Sequence, residues 1–314
     1  MQVEAFKVFR DLADSGSFSK AARANRITQS AVSQQLRTLE RRFGVPLVDR
    51  RRKDFTLTPE GRLFYQASLR IVEELDSLQN RIAERIAENR NLVAGAIRVS
   101  TVYSIGLHEL PADLKRFLKR HPGVNVHVEY RRSNQVYDDI LAGTSDLGLV
   151  AFPTPRRLIK IVPFRRDRLV AICSPHHPLA TAKTGAVRRE VTVPQIAREK
   201  FVAFEPDIPT RRAVDRIFRD HGLTVEPVME FDNIETVKRA VEIDAGIAIV
   251  PRGTIEQEIR NGALVSLDFK GKPKGEPYYR PLGILHKNGR VLSPAVRRFL
   301  ETLQERGEDQ SLHP

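Results

Sequence analysis

Apolar residues in the first sixty positions recur three and four apart in short runs, the spacing of helices with one buried face. Phe6 and Phe9 open the first run. Ser17, a good N-cap, precedes Phe18 to Asn25, where Ala21 and Ala22 are small enough for another helix to cross closely. A turn at Asn25, Arg26 and Ile27 leads to Thr28, which caps a longer run, Gln29 to Phe43. Val32, Leu36, Leu39 and Phe43 form its apolar stripe, and Ser30, Ser33, Gln34 and Arg37 project roughly opposite. Gly44 and Pro46 stop that helix. Leu47–Asp49 and Phe55–Leu57 are expected as short strands, with Arg50, Arg51, Arg52, Lys53 and Asp54 at the tip between them.

Thr58, Pro59 and Glu60 then form a helix start: a cap, a proline at the first helical position and an acid at the positive end of the dipole. No proline or internal glycine follows from Arg62 to Ala94, so a rod of roughly 30 residues, about 45 Å long, is expected. Phe64, Ile71, Leu75, Leu78, Ile82 and Ile86 make one narrow apolar seam along it. A second copy of the same helix would cover that seam; the alternative is packing on the chain's own body.

Beyond Gly95, short β-rich runs alternate with amphipathic helices, which predicts α/β units with parallel strands. Two blocks are alike at an offset of about 100 residues. The first has strands at Ile97–Thr101, Val124–Tyr130 and Leu147–Ala151, with helices through Leu114–Lys119 and from Ser133. The second has strands at Phe201–Phe204, Val225–Phe231 and Ile247–Val250, with helices at Thr210–Arg219 and after Asp232. Two similar lobes side by side are therefore expected. Leu282–His286 and a helix at Pro294–Gln304 return to the first lobe, so the chain crosses twice, making a hinge.

Charge narrows the chemistry. The net charge of +13 favours an anionic partner but is spread along the chain. Ser15 to Lys53, however, holds ten Lys/Arg against two Asp/Glu, a basic cluster on the capped helix, turn, helix and hairpin. A short-chain polar and basic helix face suits base edges in a major groove, and a basic hairpin tip suits the sugar-phosphate backbone or a minor groove. Cys173 is alone in the apolar run Leu169–Cys173, which excludes an intramolecular disulfide and a CxxC redox pair and suits a reducing cytoplasm. His176-His177 lacks a partner four residues on, and neither a metal nor a cofactor is expected. Met1–Arg10 is amphipathic and unlike a signal peptide, and no apolar run is long enough to span a membrane. Gly-x-Ser-x-Gly, Walker and dinucleotide fingerprints are absent, which counts against an enzyme. Lys270–Lys274 reads as a solvated basic loop.

These motifs resemble one family. Phe6-x-x-Phe9, Gly16-Ser17-Phe18-Ser19-x-Ala21-Ala22, Thr28-Gln29-Ser30-Ala31-Val32-Ser33, Gln35-x-x-x-Leu39-Glu40 and Leu57-Thr58-Pro59-x-Gly61 are similar to the N-terminal domain of LysR-type transcriptional regulators. The likeness is strong to about residue 90 and weaker to about residue 305. It implies a winged helix-turn-helix at 1–60 and a linker helix at 61–93 through which an antiparallel dimer forms, with tetramers beyond. It also implies a two-lobed effector domain similar to periplasmic solute-binding proteins: subdomain I at 94–165 with 268–305, subdomain II at 166–267, and a flexible tail at 306–314. By the same resemblance Gln29, Ser30, Ser33 and Gln34 read bases, while Arg37, Arg50, Arg51, Arg52 and Lys53 hold phosphates. Three successive arginines stand where the family often has a glycine or other small residue.

Ligands of open α/β sheets bind beyond the carboxyl ends of the strands, at helix N-termini. Position therefore makes Thr101, Tyr103, Ser104, Ser133, Asn134, Glu205, Thr210, Arg211, Asp232 and Asn233 the candidate effector residues, with Arg211 the countercharge for a small polar or anionic effector. Expected partners are double-stranded promoter or operator DNA, the effector, a second copy of the chain, and the transcription machinery, but no membrane. The alternatives are an intracellular solute-binding-like protein without regulatory output and an enzyme using the cleft.

Overall fold

The computed structural model describes residues 3–49, 55–90, 93–181, 190–270 and 277–309. The chain divides into two compact units, the first essentially residues 1–91 and the second 92–289 with 294–314.

The first unit is built from α1 (Val3–Ser15), α2 (Phe18–Asn25), α3 (Gln29–Phe43), the two-residue strands β1 (Val48–Asp49) and β2 (Thr56–Leu57), and α4 (Pro59–Arg90). Both expected caps form: Ser17 accepts from the Lys20 N–H and Thr28 from the Ala31 N–H. Arg26 enters the left-handed region at φ 55, which turns the chain between α2 and α3. Phe6, Phe9, Leu12, Ala21, Ala22, Val32, Leu36 and Leu39 close one core with Leu47 and Phe64. Phe43 departs from its expected place in the stripe. It is the last residue of α3 and is 48% exposed, with its ring edge-on to Phe64. Glu40 accepts from the Leu47 and Val48 N–H groups, tying the hairpin to α3. A Cβ at Gly61 would fall 1.9 Å from the Leu47 carbonyl oxygen, so only glycine fits where α4 leaves the hairpin.

The expected seam of α4 is also divided. Phe64 stacks on Phe6 at 5.3 Å and meets Phe9 edge-on, and Val72 is buried with them, so the first turns pack on the chain's own head. Ile71, beside Val72, faces outward, and farther along Leu78 and Ile82 are exposed. Ile86 lies outside the described side chains, as do the wing residues Arg50, Arg51, Arg52 and Lys53 and the loop residues 271–274.

The second unit opens with β3 (Ala94–Thr101), α5 (Tyr103–His108), α6 (Leu110–Arg120), β4 (Gly123–Tyr130), α7 (Ser133–Ala142) and β5 (Leu147–Ala151). It continues with β6 (Ile159–Cys173), β7 (Glu190–Val191), α8 (Val193–Ile196), β8 (Phe201–Phe204), α9 (Pro209–Arg219), β9 (Pro227–Phe231), α10 (Ile234–Glu242) and β10 (Ala248–Pro251). A 3-10 turn at Arg252–Thr254, α11 (Glu256–Arg260), β11 (Val265–Phe269), β12 (Tyr279–Lys287) and α12 (Pro294–Asp309) complete it. The last helix runs past Gln304 into the segment expected as tail.

The duplicated blocks become two lobes of like topology. In lobe I, β3 lies between β4 and β5, parallel to both. In lobe II, β8 lies between β9, in parallel register, and β10, through the parallel bridge Phe201–Ile247. Within each α/β unit the strands are parallel, as expected, and antiparallel strands complete the sheets. β12 runs antiparallel to β5 and β6, and β10 and β11 antiparallel to β6. The 15-residue β6 belongs to both lobes: Arg168 and the residues before it pair with β12, while Leu169 onward pairs with β10 and β11. Its first half carries Lys160, Arg165, Arg166, Asp167 and Arg168 and does not read as a strand in sequence. Apolar clusters fill both faces of the lobe II sheet, with Leu169, Ala171 and Cys173 on one and Val170 and Ile172 on the other.

Candidate functional site

In the first unit the candidate reading surface is the outer stripe of α3. Gln29, Ser30, Gln34 and Arg37 are exposed and Ser33 half-buried, while Val32, Leu36 and Leu39 hold the opposite face in the core. Spacing of three and four places Ser30, Ser33, Gln34 and Arg37 in one row. Arg41, exposed one turn farther on, extends that row and was missed in sequence. Thr28 and Ser30 share a 2.8 Å hydroxyl contact, and Gln29 accepts from the Ser19 hydroxyl at 3.3 Å, so both residues at the start of α3 are positioned by neighbours.

In the second unit the N-terminal ends of α5 and α7 from lobe I and of α9 and α10 from lobe II converge on one cleft of about 550 Å³. Tyr103, Ser104, Ser133, Asn134, Thr210, Asp232 and Asn233 line it, as position had suggested. Tyr103 stacks on Tyr130 at 4.8 Å along one wall. Phe152, also in the lining, is held at φ 51 while its N–H donates to the Pro281 carbonyl at 2.8 Å. Such strain recurs beside binding sites.

Three candidates sit elsewhere. Thr101 is fully buried and turns its hydroxyl to the Val102 carbonyl. Glu205 stands outside the lining and accepts from Arg132 at 2.9 Å. Arg211, expected as the countercharge, turns away from the cleft to Asp215 at 2.8 Å, to the Phe204 carbonyl and to Glu230. Burial works against the charge on Arg211, and the bonds to Glu230 and Asp215 outweigh it, holding its pKa above the ordinary arginine value. Ser133 does not cap α7; Arg132 holds the cap position, its N–H donating to Gln135 Oε1 at 3.1 Å.

The cleft's positive charge comes from five other arginines, 131, 132, 156, 212 and 280, against two aspartates, Asp207 and Asp232. Arg280 is nearly enclosed, donating to Ser104 Oγ and to Asp167, each at 2.8 Å. Burial raises the pKa of Asp167, and the charge of Arg280 opposes that rise. Arg132 reaches across from lobe I to Asp207 at 2.8 Å and Glu205 at 2.9 Å, and these bonds, Asp207's first, hold its guanidinium above its ordinary pKa. A second tie joins the lobes, from His108 Nε2 to Glu235 Oε1 at 2.9 Å. Glu235 also meets Lys238, which is buried and donates to the Thr254 carbonyl and Glu258. Nothing in sequence spacing marks Arg132 or Arg280; Arg132 lies 75 residues from Asp207, and Arg280 lies 113 from Asp167 and 176 from Ser104, so only the fold brings these partners together.

Among the described residues no cluster of His, Cys, Asp and Glu could hold a metal ion. His177 accepts the Leu179 N–H at Nδ1 and lies 3.6 Å from Glu199. No described helix is long and apolar enough to cross a membrane.

A capped helix pair with an exposed polar and basic second helix, on a chain whose remainder forms two lobes about a polar cleft, defines a ligand-responsive DNA-binding regulator. The comparisons give the family. Residues 3–62 match the bacterial regulatory helix-turn-helix protein, lysR family, and residues 90–308 match the LysR substrate binding domain. The chain belongs to the LysR family of transcriptional regulators. It is 32% identical to the transcriptional activator CmpR of Synechocystis over 98% of this chain and 96% of that relative. It is 28% identical to the RuBisCO operon transcriptional regulator of Allochromatium vinosum over 96% and 95%. Among solved structures it is similar in fold to full-length OxyR from Pseudomonas aeruginosa (TM-score 0.73, 18% identity, 97% of this chain and 94% of that one). It is also similar to CbnR, a LysR family transcriptional regulator (TM-score 0.67, 20% identity, 98% and 99%).

Proposed function

We propose that this regulator reads operator DNA through Gln29, Ser30, Ser33 and Gln34, grips phosphates through Arg37 and the wing residues Arg50–Lys53, and answers to a small anionic effector in the cleft. The observation that carries the effector class is the lining: five arginines, hydroxyls, amides and helix N-termini from both lobes face one space. Helix N-termini and guanidinium groups both favour anions. A metabolite acid or phosphate fits within the volume, and the aromatic wall of Tyr103 and Tyr130 suits its carbon skeleton. The exposed part of the α4 seam supports pairing with a second copy, which would present two reading helices to two half-sites. The effector acts through its different affinities for two arrangements of the lobes or dimer.

Selection of duplex DNA from a random pool by the full chain tests the reading head. The expected product is a two-fold symmetric consensus whose affinity falls steeply with salt. Arg37→Gln should weaken all sequences alike and lower the salt slope by about one, whereas Gln34→Ala should change the preferred base at about 1–3 kcal/mol per site. An unenriched pool, or an unchanged consensus with Gln34→Ala, would refute the assignment.

A further inference from the structure

We propose that Arg132 is the guanidinium that takes the effector's anionic group, and that Glu205 and Asp207 compete with that group for it. This rests on the reading of the cleft as an anion site. Arg132 donates Nη1 to Asp207 Oδ2 and Nη2 to Glu205 Oε2, at 2.8 and 2.9 Å. Each terminal nitrogen thus holds one oxygen, and the two oxygens come from different side chains of the opposite lobe. A planar guanidinium fork donates to the two oxygens of a single carboxylate or phosphate in the same way. The lobe II carboxylates therefore occupy the positions that a bidentate anion would fill.

Two of the other cleft arginines are held more tightly. Arg280 is 2% exposed and held by Asp167 and Ser104. Arg131 is engaged by Glu129 and by Asp139 at 3.2 Å. Arg132, Glu205 and Asp207 are 51%, 37% and 59% exposed, so water reaches all three and their bonds can exchange. Arg132 also stands at the N-terminal end of α7, where the helix dipole adds to its pull on an anion. On the lobe II side Arg212 is exposed in the same lining. An anion that took Arg132 from Glu205 and Asp207 would replace a direct tie between the lobes with one running through the ligand. The class of effector is then an acid with at least one carboxylate or phosphate, and its charge is linked to lobe geometry through these three residues.

Calorimetric titration of inorganic phosphate into the full chain tests this in two backgrounds. With wild-type Arg132, the pair Glu205→Gln and Asp207→Asn should raise phosphate affinity about three- to tenfold, the range for releasing two solvent-exposed ion pairs. With Arg132→Gln, the same pair should change affinity by less than about twofold, because the competition acts through that one side chain. A gain of equal size in both backgrounds, or no gain in either while the wild type binds phosphate, would overturn the role of Arg132 and leave the anion reading intact. Absence of phosphate binding by the wild type and every variant would overturn both. Melting curves of each variant establish that the changes are not those of an unfolded chain.

Discussion

Asp113→Ala should cost the effector-binding unit about 3–5 kcal/mol, the usual penalty for removing one partner of a buried ion pair. Asp113 is fully buried. Its carboxylate accepts from Arg165 Nη2 at 2.5 Å and from Arg116 Nη2 at 2.9 Å, and Arg165 is itself 4% exposed. After the substitution Arg165 keeps only Glu109, through the carboxylate at 2.9 Å and the carbonyl at 3.2 Å, and its second terminal nitrogen is left unpaired in a site water does not reach. Each kcal/mol moves the melting temperature of a unit this size by roughly 2–4 °C, so a fall of about 6–20 °C is expected by calorimetry on the full chain. Arg298→Ala is the matched control. Its partner Glu301 lies at 2.9 Å, the same distance as Arg116 from Asp113, yet Arg298 is 60% exposed, and the change should stay within about 0.5 kcal/mol. Replacing Asp113 and Arg165 together by apolar residues should cost less than Asp113→Ala alone, because no uncompensated charge then remains. If Asp113→Ala and Arg298→Ala proved equally mild, burial would not be what gives this network its strength, and the reasoning would be refuted.

Two further outcomes follow from the same geometry. Leu78→Glu with Ile82→Glu should weaken self-association at least about 100-fold in sedimentation while leaving the head folded, since both side chains are exposed on the single chain; an unchanged oligomer would place the interface elsewhere. His286 is buried in lobe I, and burial, reinforced by the charge of Lys160 and opposed by the bond to the Lys287 carbonyl, lowers its pKa below the ordinary 6.5. A group depressed in the fold contributes stability above its unfolded pKa and loses it as pH falls through the folded value. His286→Gln should therefore reduce the drop in melting temperature between neutral pH and pH 5, and an unaltered pH profile would contradict this.

Much of the local structure was legible in the residues themselves. Phe18–Asn25, Gln29–Phe43, Leu147–Ala151 and Phe201–Phe204 occur at the expected bounds, because caps, left-handed turn residues and apolar spacing act over four or five positions. In the first unit Gly61 is demanded by the close approach of the Leu47 carbonyl, and Glu40 is held by the hairpin amides. The duplication was also visible, since two lobes of like topology repeat like segments.

What only the tertiary structure decided is where the charges went. The first half of β6 looks like a polar loop until Arg165 and Asp167 find Asp113, Glu109 and Arg280, partners about 50 and 110 residues away. Arg211 looked like the cleft's cation by position, but Asp215 one turn on and Glu230 on the neighbouring strand take it, whereas Arg132 lines the cleft and has its partners across it, the ground on which we propose it for that role. Caps and periodicity are settled by bonded neighbours, so sequence alone determines them. The partner of a charge is settled by which distant segments approach within about 4 Å, and that distance exists only once the lobes have folded.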